Sequence, residues 1–325
     1  MGAPSSFLKS LSLRRIRPRA PAAVVPSPVT TQFDRELTAE LDTLKPPPLG
    51  TSVEQILLVQ FLDAAITTQK IALDSLANIS YKDDVDREAV EEYLENNINI
   101  LDACNFFMER IDNMKKKYVY SLRVIARLIN ANATTRALDQ LDSCHEIEKQ
   151  CKGMRKSLRR MLMRQKLCHE SELSEIMCGS KVMALMGCKL LELGLSFDSN
   201  NVIGLMAFMK QSQPMSCSWL RLLHELAKQA EGSAYEKKKK KKLNKVRSGC
   251  LMMIELQKTV NAAQELKEQI KGRREKEVIK STFERLKKSS KELEEGLEVL
   301  EGRVKDLYKS LIDVRMVLLG ILSQA

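Results

Sequence analysis

Aromatic residues make up only 5% of this chain, Trp occurs once, and Gly accounts for just 13 of 325 residues. Strand formers such as Val, Tyr, Phe and Trp are scarce, which favours helix over a sheet-built core before any pattern is read. Only three His are present. The eight cysteines, Cys104, Cys144, Cys151, Cys168, Cys178, Cys188, Cys217 and Cys250, never form a Cys-x-x-Cys pair, so neither a zinc framework nor a disulfide scaffold is expected. They read as reduced thiols of a cytosol-like compartment, mostly buried. Cys144-His145 and Cys168-His169 are adjacent on helical pattern, and neighbours about 100° apart do not converge on one ion. No stretch of about 18 apolar residues is free of charge. The nearest, 176–197, carries Lys181, Lys189 and Glu192 along one polar edge, as a buried or half-buried helix would. Phosphate loops, nucleophile elbows and His-Glu zinc motifs are all missing. The sequence therefore assigns no catalytic residue, no cofactor and no metal, and the reading is of a non-enzyme.

What remains is 44% apolar and 29% charged, rich in Leu, Met, Lys and Glu. That composition predicts an all-α protein, an elongated helical bundle. The net charge of +11 resolves into two clusters. Lys9, Arg14, Arg15, Arg17 and Arg19 precede the first acid, Asp34, and Lys237, Lys238, Lys239, Lys240, Lys241 and Lys242 form a run. The other residues balance at 42 basic against 42 acidic. A long cationic face for nucleic acid is not expected; an anionic membrane surface or an acidic partner suits the two clusters better.

Along the chain, residues 1–50 are rich in Ser, Pro, Ala and Arg, and their composition predicts a disordered segment with a short helix at 34–44. A helical bundle is expected over 51–231, a Lys-rich linker over 232–242, and a long helical stretch over 243–325 that weakens near Gly272. Within the bundle, helices are predicted to about Ile79, then from Asp86 to Ile129, 135–167, 171–196 and 201–230. The second carries a stripe of Val90, Leu94, Ile98, Leu101, Met108, Ile111 and Met114, interrupted by Asn105. The region around Trp219 is the candidate interior.

The strongest pattern comes last. Ile279, Phe283, Leu286, Ser290, Leu293, Leu297, Leu300, Val304, Leu307, Leu311, Val314, Leu318 and Ile321 alternate in steps of four and three. A 3.5-residue repeat of this kind holds one seam against a partner helix. That partner is either the chain's own bundle or a second copy or other protein in a coiled coil.

Met1-Gly2-Ala3-Pro4-Ser5-Ser6 matches the N-myristoylation pattern with Gly2 as acceptor, and the basic cluster beside it would supply the second membrane signal. The acid-free, Ser- and Arg-bearing composition of 1–33 equally suits a plastid transit peptide or a plain tail.

Two segments resemble the plant BYPASS-like proteins. Residues 93–105, Tyr93-Leu94-Glu95-Asn96-Asn97-Ile98-Asn99-Ile100-Leu101-Asp102-Ala103-Cys104-Asn105, are similar to a helix of that family, and 307–322 to its C-terminal signature. Phe7-Leu8-Lys9-Ser10-Leu11 and Gln32-Phe33-Asp34 fit as well. The resemblance implies a helical protein of root and shoot development without known catalysis, linked through its relatives to a root-derived signal and to exocytic trafficking. It implies protein partners met through helical surfaces, and a place in the cytoplasm or at a membrane periphery.

Overall fold

The computed structural model describes residues 30–44, 53–79, 84–150, 171–197, 217–228 and 253–324. Among the described residues every regular element is helical. In chain order these are α1 (Gln32–Asp42), α2 (Val53–Leu76), α3 (Asp84–Asn113), a π-helical turn (Met114–Val119) that runs straight on into α4 (Tyr120–Asn130), α5 (Thr134–Gln150), α6 (Glu172–Gly194), α7 (218–228), α8 (Ile254–Lys271) and α9 (Lys276–Gln324).

Helix α9 is 49 residues long, about 75 Å at 1.5 Å per residue, and organises the molecule. Its C-terminal half packs against α2 and α3, which also flank α6, so α2, α6, α3 and α9 close a four-helix bundle. Its N-terminal half pairs with α8 and touches α4, while α5 bridges α4 and α8 to close a second four-helix group. The continuous α3–α4 rod and α9 are common to both and run antiparallel: Arg123 pairs with Glu294, Lys115 with Glu301 at 3.1 Å, and Asn97 meets Leu311.

Helix α6 is buried on nearly all sides, which explains the apolar character of the 176–197 stretch. Ser171 caps it in a reciprocal box with Ser174, and Arg110 Nη2 donates to the Leu195 carbonyl beyond its far end at 2.6 Å. Both ends of this enclosed helix thus have partners for groups that no water would reach. Lys189 and Glu192, nearly buried themselves, pair at 2.7 Å.

Composition alone predicts that 1–50 lacks a packed core, yet α1 docks firmly within that stretch. Phe33, Leu37 and Leu41 are fully buried. The reason lies across the interface, at Gly179 of α6. A Cβ there would sit 2.5 Å from Phe33 Cε1 and 3.2 Å from Leu37 Cδ2, so α1 approaches only because that side chain is missing. Gly179→Ala is expected to cost about 1–3 kcal/mol through overpacking and to push α1 outward. Limited proteolysis should then cut within residues 30–44 faster than in the parent protein.

The helix predicted as an unbroken α-helix from Asp86 to Ile129 contains the π turn instead. A π turn adds a residue to one turn and re-phases the stripe after it. Here it lets Met114, Tyr118 and Val119 all turn inward, with Tyr118 Oη donating to Glu148 of α5 at 3.1 Å and its ring edge-on to Phe197. The stripe itself also differs from the sequence expectation. Ile98 and Asn105 face solvent, and the buried face is Val90, Tyr93, Leu94, Asn97, Ile100, Cys104 and Phe107. Ile98 reads as core by residue type, but the face is set by the straight row through Tyr93, Asn97, Ile100 and Cys104.

Two turns use left-handed residues. Asn132 (φ 56°) follows α4 and Arg273 (φ 49°) follows α8, each in a Schellman arrangement with six-to-one bonds Ala133 N–H to Leu128 O and Arg274 N–H to Gln269 O. Asn tolerates that region, whereas a long side chain costs roughly 1–2 kcal/mol there.

Candidate functional site

The two segments that carry the sequence resemblance lie against each other. Residues 93–105 lie in the middle of α3, residues 307–322 at the end of α9, and polar side chains bolt them together. Asn97 Nδ2 donates to the Leu311 carbonyl at 3.3 Å, and Arg315 Nη1 donates to the Leu94 carbonyl at 2.6 Å. Asn97 is fully buried. A buried Asn in a helical seam gives up stability relative to an apolar residue and fixes register in return. The polar residue inside this seam is therefore Asn97, two turns before the Asn105 that the sequence stripe singled out.

On its other side, α3 joins α6 and α2 through a closed chain of hydrogen bonds. Ser180 Oγ donates to Gln69 Oε1 at 2.5 Å, and Gln69 Nε2 donates to the Ser180 carbonyl at 3.0 Å. Because the single serine proton is committed, Tyr93 Oη must donate to Ser180 Oγ, at 2.7 Å. Burial pushes the Tyr93 hydroxyl up to about 12, partly offset by its hydrogen bonds to Ser180 and Asn97, so it stays protonated at neutral pH. The network satisfies its members and ties three helices at one level, which is a positioning device rather than a reactive one. Cys104 and Cys188 meet nearby, and their mutual hydrogen bond with burial raises the Cys188 thiol well above its usual value. Cys144 and Cys178 are likewise pushed up to about 12, chiefly by burial. Thiols so held are poor nucleophiles.

The heptad seam is internal. Leu293, Leu297, Leu300, Val304, Leu307, Leu311, Val314 and Leu318 are all at most 1% exposed, and Ile279 and Ile321 at its ends are half-buried. Leu307 reaches across the bundle toward Gly187 of α6, whose Cβ position lies 3.9 Å from Leu307 Cδ2. Around the seam, Lys305 and Lys115 hold the Glu301 carboxyl below its ordinary range. Arg303 Nε meets Asp63 of α2 at 2.6 Å.

Gln32-Phe33-Asp34 acquires a local role. Phe33 fills the space at Gly179, and Asp34 Oδ1 accepts from the backbone N–H groups of Ser218 and Trp219 at 2.9 and 3.1 Å, capping α7 from another helix.

No group of three or more His, Cys, Asp or Glu among the described residues could hold a metal ion. Cys144 is buried while its neighbour His145 faces solvent against Glu148. An open cleft of about 380 Å³ at the end of α2 and α6 is lined by Gln32, Ser75, Asn78, Asp86, Ser171 and Glu172 among others, and Ser171 Oγ donates to Asp86 Oδ1 at 2.7 Å within it. Among the described residues no helix is long and apolar enough to cross a membrane. Gly2, the cluster Lys9 to Arg19 and the run Lys237 to Lys242 lie outside the described residues. The polar groups of the clasp (Gln69, Asn97, Ser180 and Arg315) were not legible as a set, since they are far apart in sequence and individually unremarkable. Asn97 lies off the stripe expected of this helix, which singled out Asn105 instead.

A family model described as Protein BPS1 matches residues 77–321, about three-quarters of the chain, spanning α3 to all but the last turn of α9. The chain belongs to the BPS1 family. Both clasp segments fall inside the match, whereas α1 and α2 precede it. No curated protein matches the chain, and no solved structure does. Membership of the BPS1 family supports a developmental regulator at the level of the family.

Proposed function

We infer that this BPS1-family chain is a non-enzymatic helical interaction protein acting in root and shoot development, through a root-derived signal or exocytic trafficking. The family match over residues 77–321 carries the reading. The geometry supports it in a particular way. The seam on α9, whose pattern demands a helical partner, is satisfied within the chain, which supports contact with other proteins through outward helix faces. A second copy is not needed to cover the seam.

The test is rescue of a plant line lacking the protein. A variant carrying Tyr93→Phe, Cys104→Ala and Cys188→Ala removes buried groups capable of nucleophilic or acid–base work while keeping most of their volume. It is expected to restore normal roots and shoots, provided circular dichroism shows a native helical melt. Failure to rescue by a folded triple variant would point to chemistry at these groups and overturn the non-catalytic reading.

A further inference from the structure

The neutrality of the helical body is a sum of local imbalances, and one of them sits at the hairpin between α8 and α9. From Lys271 to Lys291 the α8–α9 hairpin carries nine Lys and Arg against three Glu, a net of +6. Residues 292–301, immediately after, carry five Glu and no cation. The fold treats the two blocks differently. Glu292, Glu294 and Glu301 are met by Lys258, Arg123 and Lys115 from α8, α4 and the π turn. At the tip, Arg273, Arg274, Lys276, Lys280 and Lys287 form no ion pair with any described residue, and all five are exposed. Lys276, Lys280, Lys287 and Lys291 also fall within one narrow stripe of α9, at helical spacings of four and seven.

The backbone adds an independent observation. Arg273 occupies the left-handed position of a Schellman turn, where Gly is favoured, although Gly272 stands one residue away with ordinary φ. A cation has been placed where the fold alone would prefer none, and strain of this kind points to function. Beside these charges Val278 is 43% exposed.

We propose that the α8–α9 hairpin tip is a docking surface for an anionic phospholipid bilayer. A protein partner would have to bring acidic groups at the fixed spacings of these cations. A fluid bilayer adapts its anionic headgroups to any spacing of cations, and Val278 reaches only to headgroup depth. The five Glu that follow set the approach: tip towards the lipid, middle of α9 away from it. This surface is separate from the developmental reading and does not depend on it.

The experiment is co-sedimentation of the full chain with phosphatidylcholine vesicles, with and without phosphatidylserine. The parent protein should bind only the anionic vesicles, and more weakly as salt rises. The triple variant Arg273→Gln, Arg274→Gln, Lys276→Gln should lose about a hundredfold in affinity even with Lys237 to Lys242 intact, at roughly fivefold per cation. Arg273→Gly separates binding from folding, because its effects run in opposite directions. Relief of the left-handed strain should raise the thermal midpoint while vesicle affinity falls about fivefold. Parent-like sedimentation of the triple variant would overturn the proposal. So would loss of an acidic protein partner with vesicle binding unchanged, which would give the tip to a protein instead.

Discussion

Leu307→Asp is expected to abolish cooperative folding of the chain, and to do so equally at every protein concentration. Leu307 is fully buried where α9, α2 and α6 converge, with Leu62 and Gly187 as neighbours. A carboxylate there has no cation to meet and no water to solvate it, a loss of about 3–5 kcal/mol on top of the lost packing. That is comparable to the whole stability of many domains. Val299→Asp, on the same helix but 49% exposed, should stay within about 0.5 kcal/mol of the parent. The concentration dependence decides what the seam does. With the seam satisfied inside one chain, the urea midpoint of the parent protein does not move with protein concentration. A seam completed by a second copy would make the midpoint climb with concentration by mass action. A midpoint that climbs, or a folded Leu307→Asp variant, would contradict the architecture described above.

The second large effect is expected at Trp219. The indole is fully buried and is the largest enclosed side chain of the core. Trp219→Ala should lower stability by about 3–5 kcal/mol, read as a shift of the urea midpoint by circular dichroism. The loss should spread beyond α7. The backbone N–H of Trp219 is one of two groups capped by Asp34, so loosening α7 removes one anchor of α1 as well. Hydrogen exchange in the variant should therefore accelerate over residues 32–42 together with 218–228. Exchange that accelerates in α7 alone would mean that Asp34 does not couple the two helices.

Much of this architecture was readable from the order of residues. The four-three alternation from Ile279 to Ile321 identifies the buried side of α9 position by position, because a helix shows one face and a period of 3.5 keeps that face constant. The helical span over 171–196 followed from apolar content with a thin charged edge, and the break near Gly272 from a residue that costs helix stability. Other features were hidden for physical reasons. The docking of α1 depends on the absence of one Cβ at Gly179, 146 positions after Phe33, and composition of the segment carries no trace of it. Asn105 was a plausible polar member of the seam, yet Asn97 holds the buried place. The hairpin charges were present in plain sight but cancelled in the balance of 42 basic against 42 acidic residues outside the two clusters. A running charge count over about twenty residues would have revealed them.

By itself, then, the sequence determined that this polypeptide is helical and which sides of its longest helices avoid water, because periodicity and composition act locally along the chain. Only the tertiary structure decided what those sides meet. Apolar burial is non-directional, so a stripe of leucines accepts any complementary stripe. The choice was made by directional contacts between distant residues: Asn97 at the Leu311 carbonyl, Ser180 between Gln69 and Tyr93, and Asp34 at the start of α7. These bonds exist only once the helices are side by side, and the one from Asn97 fixes the register in which α9 closes on its own bundle.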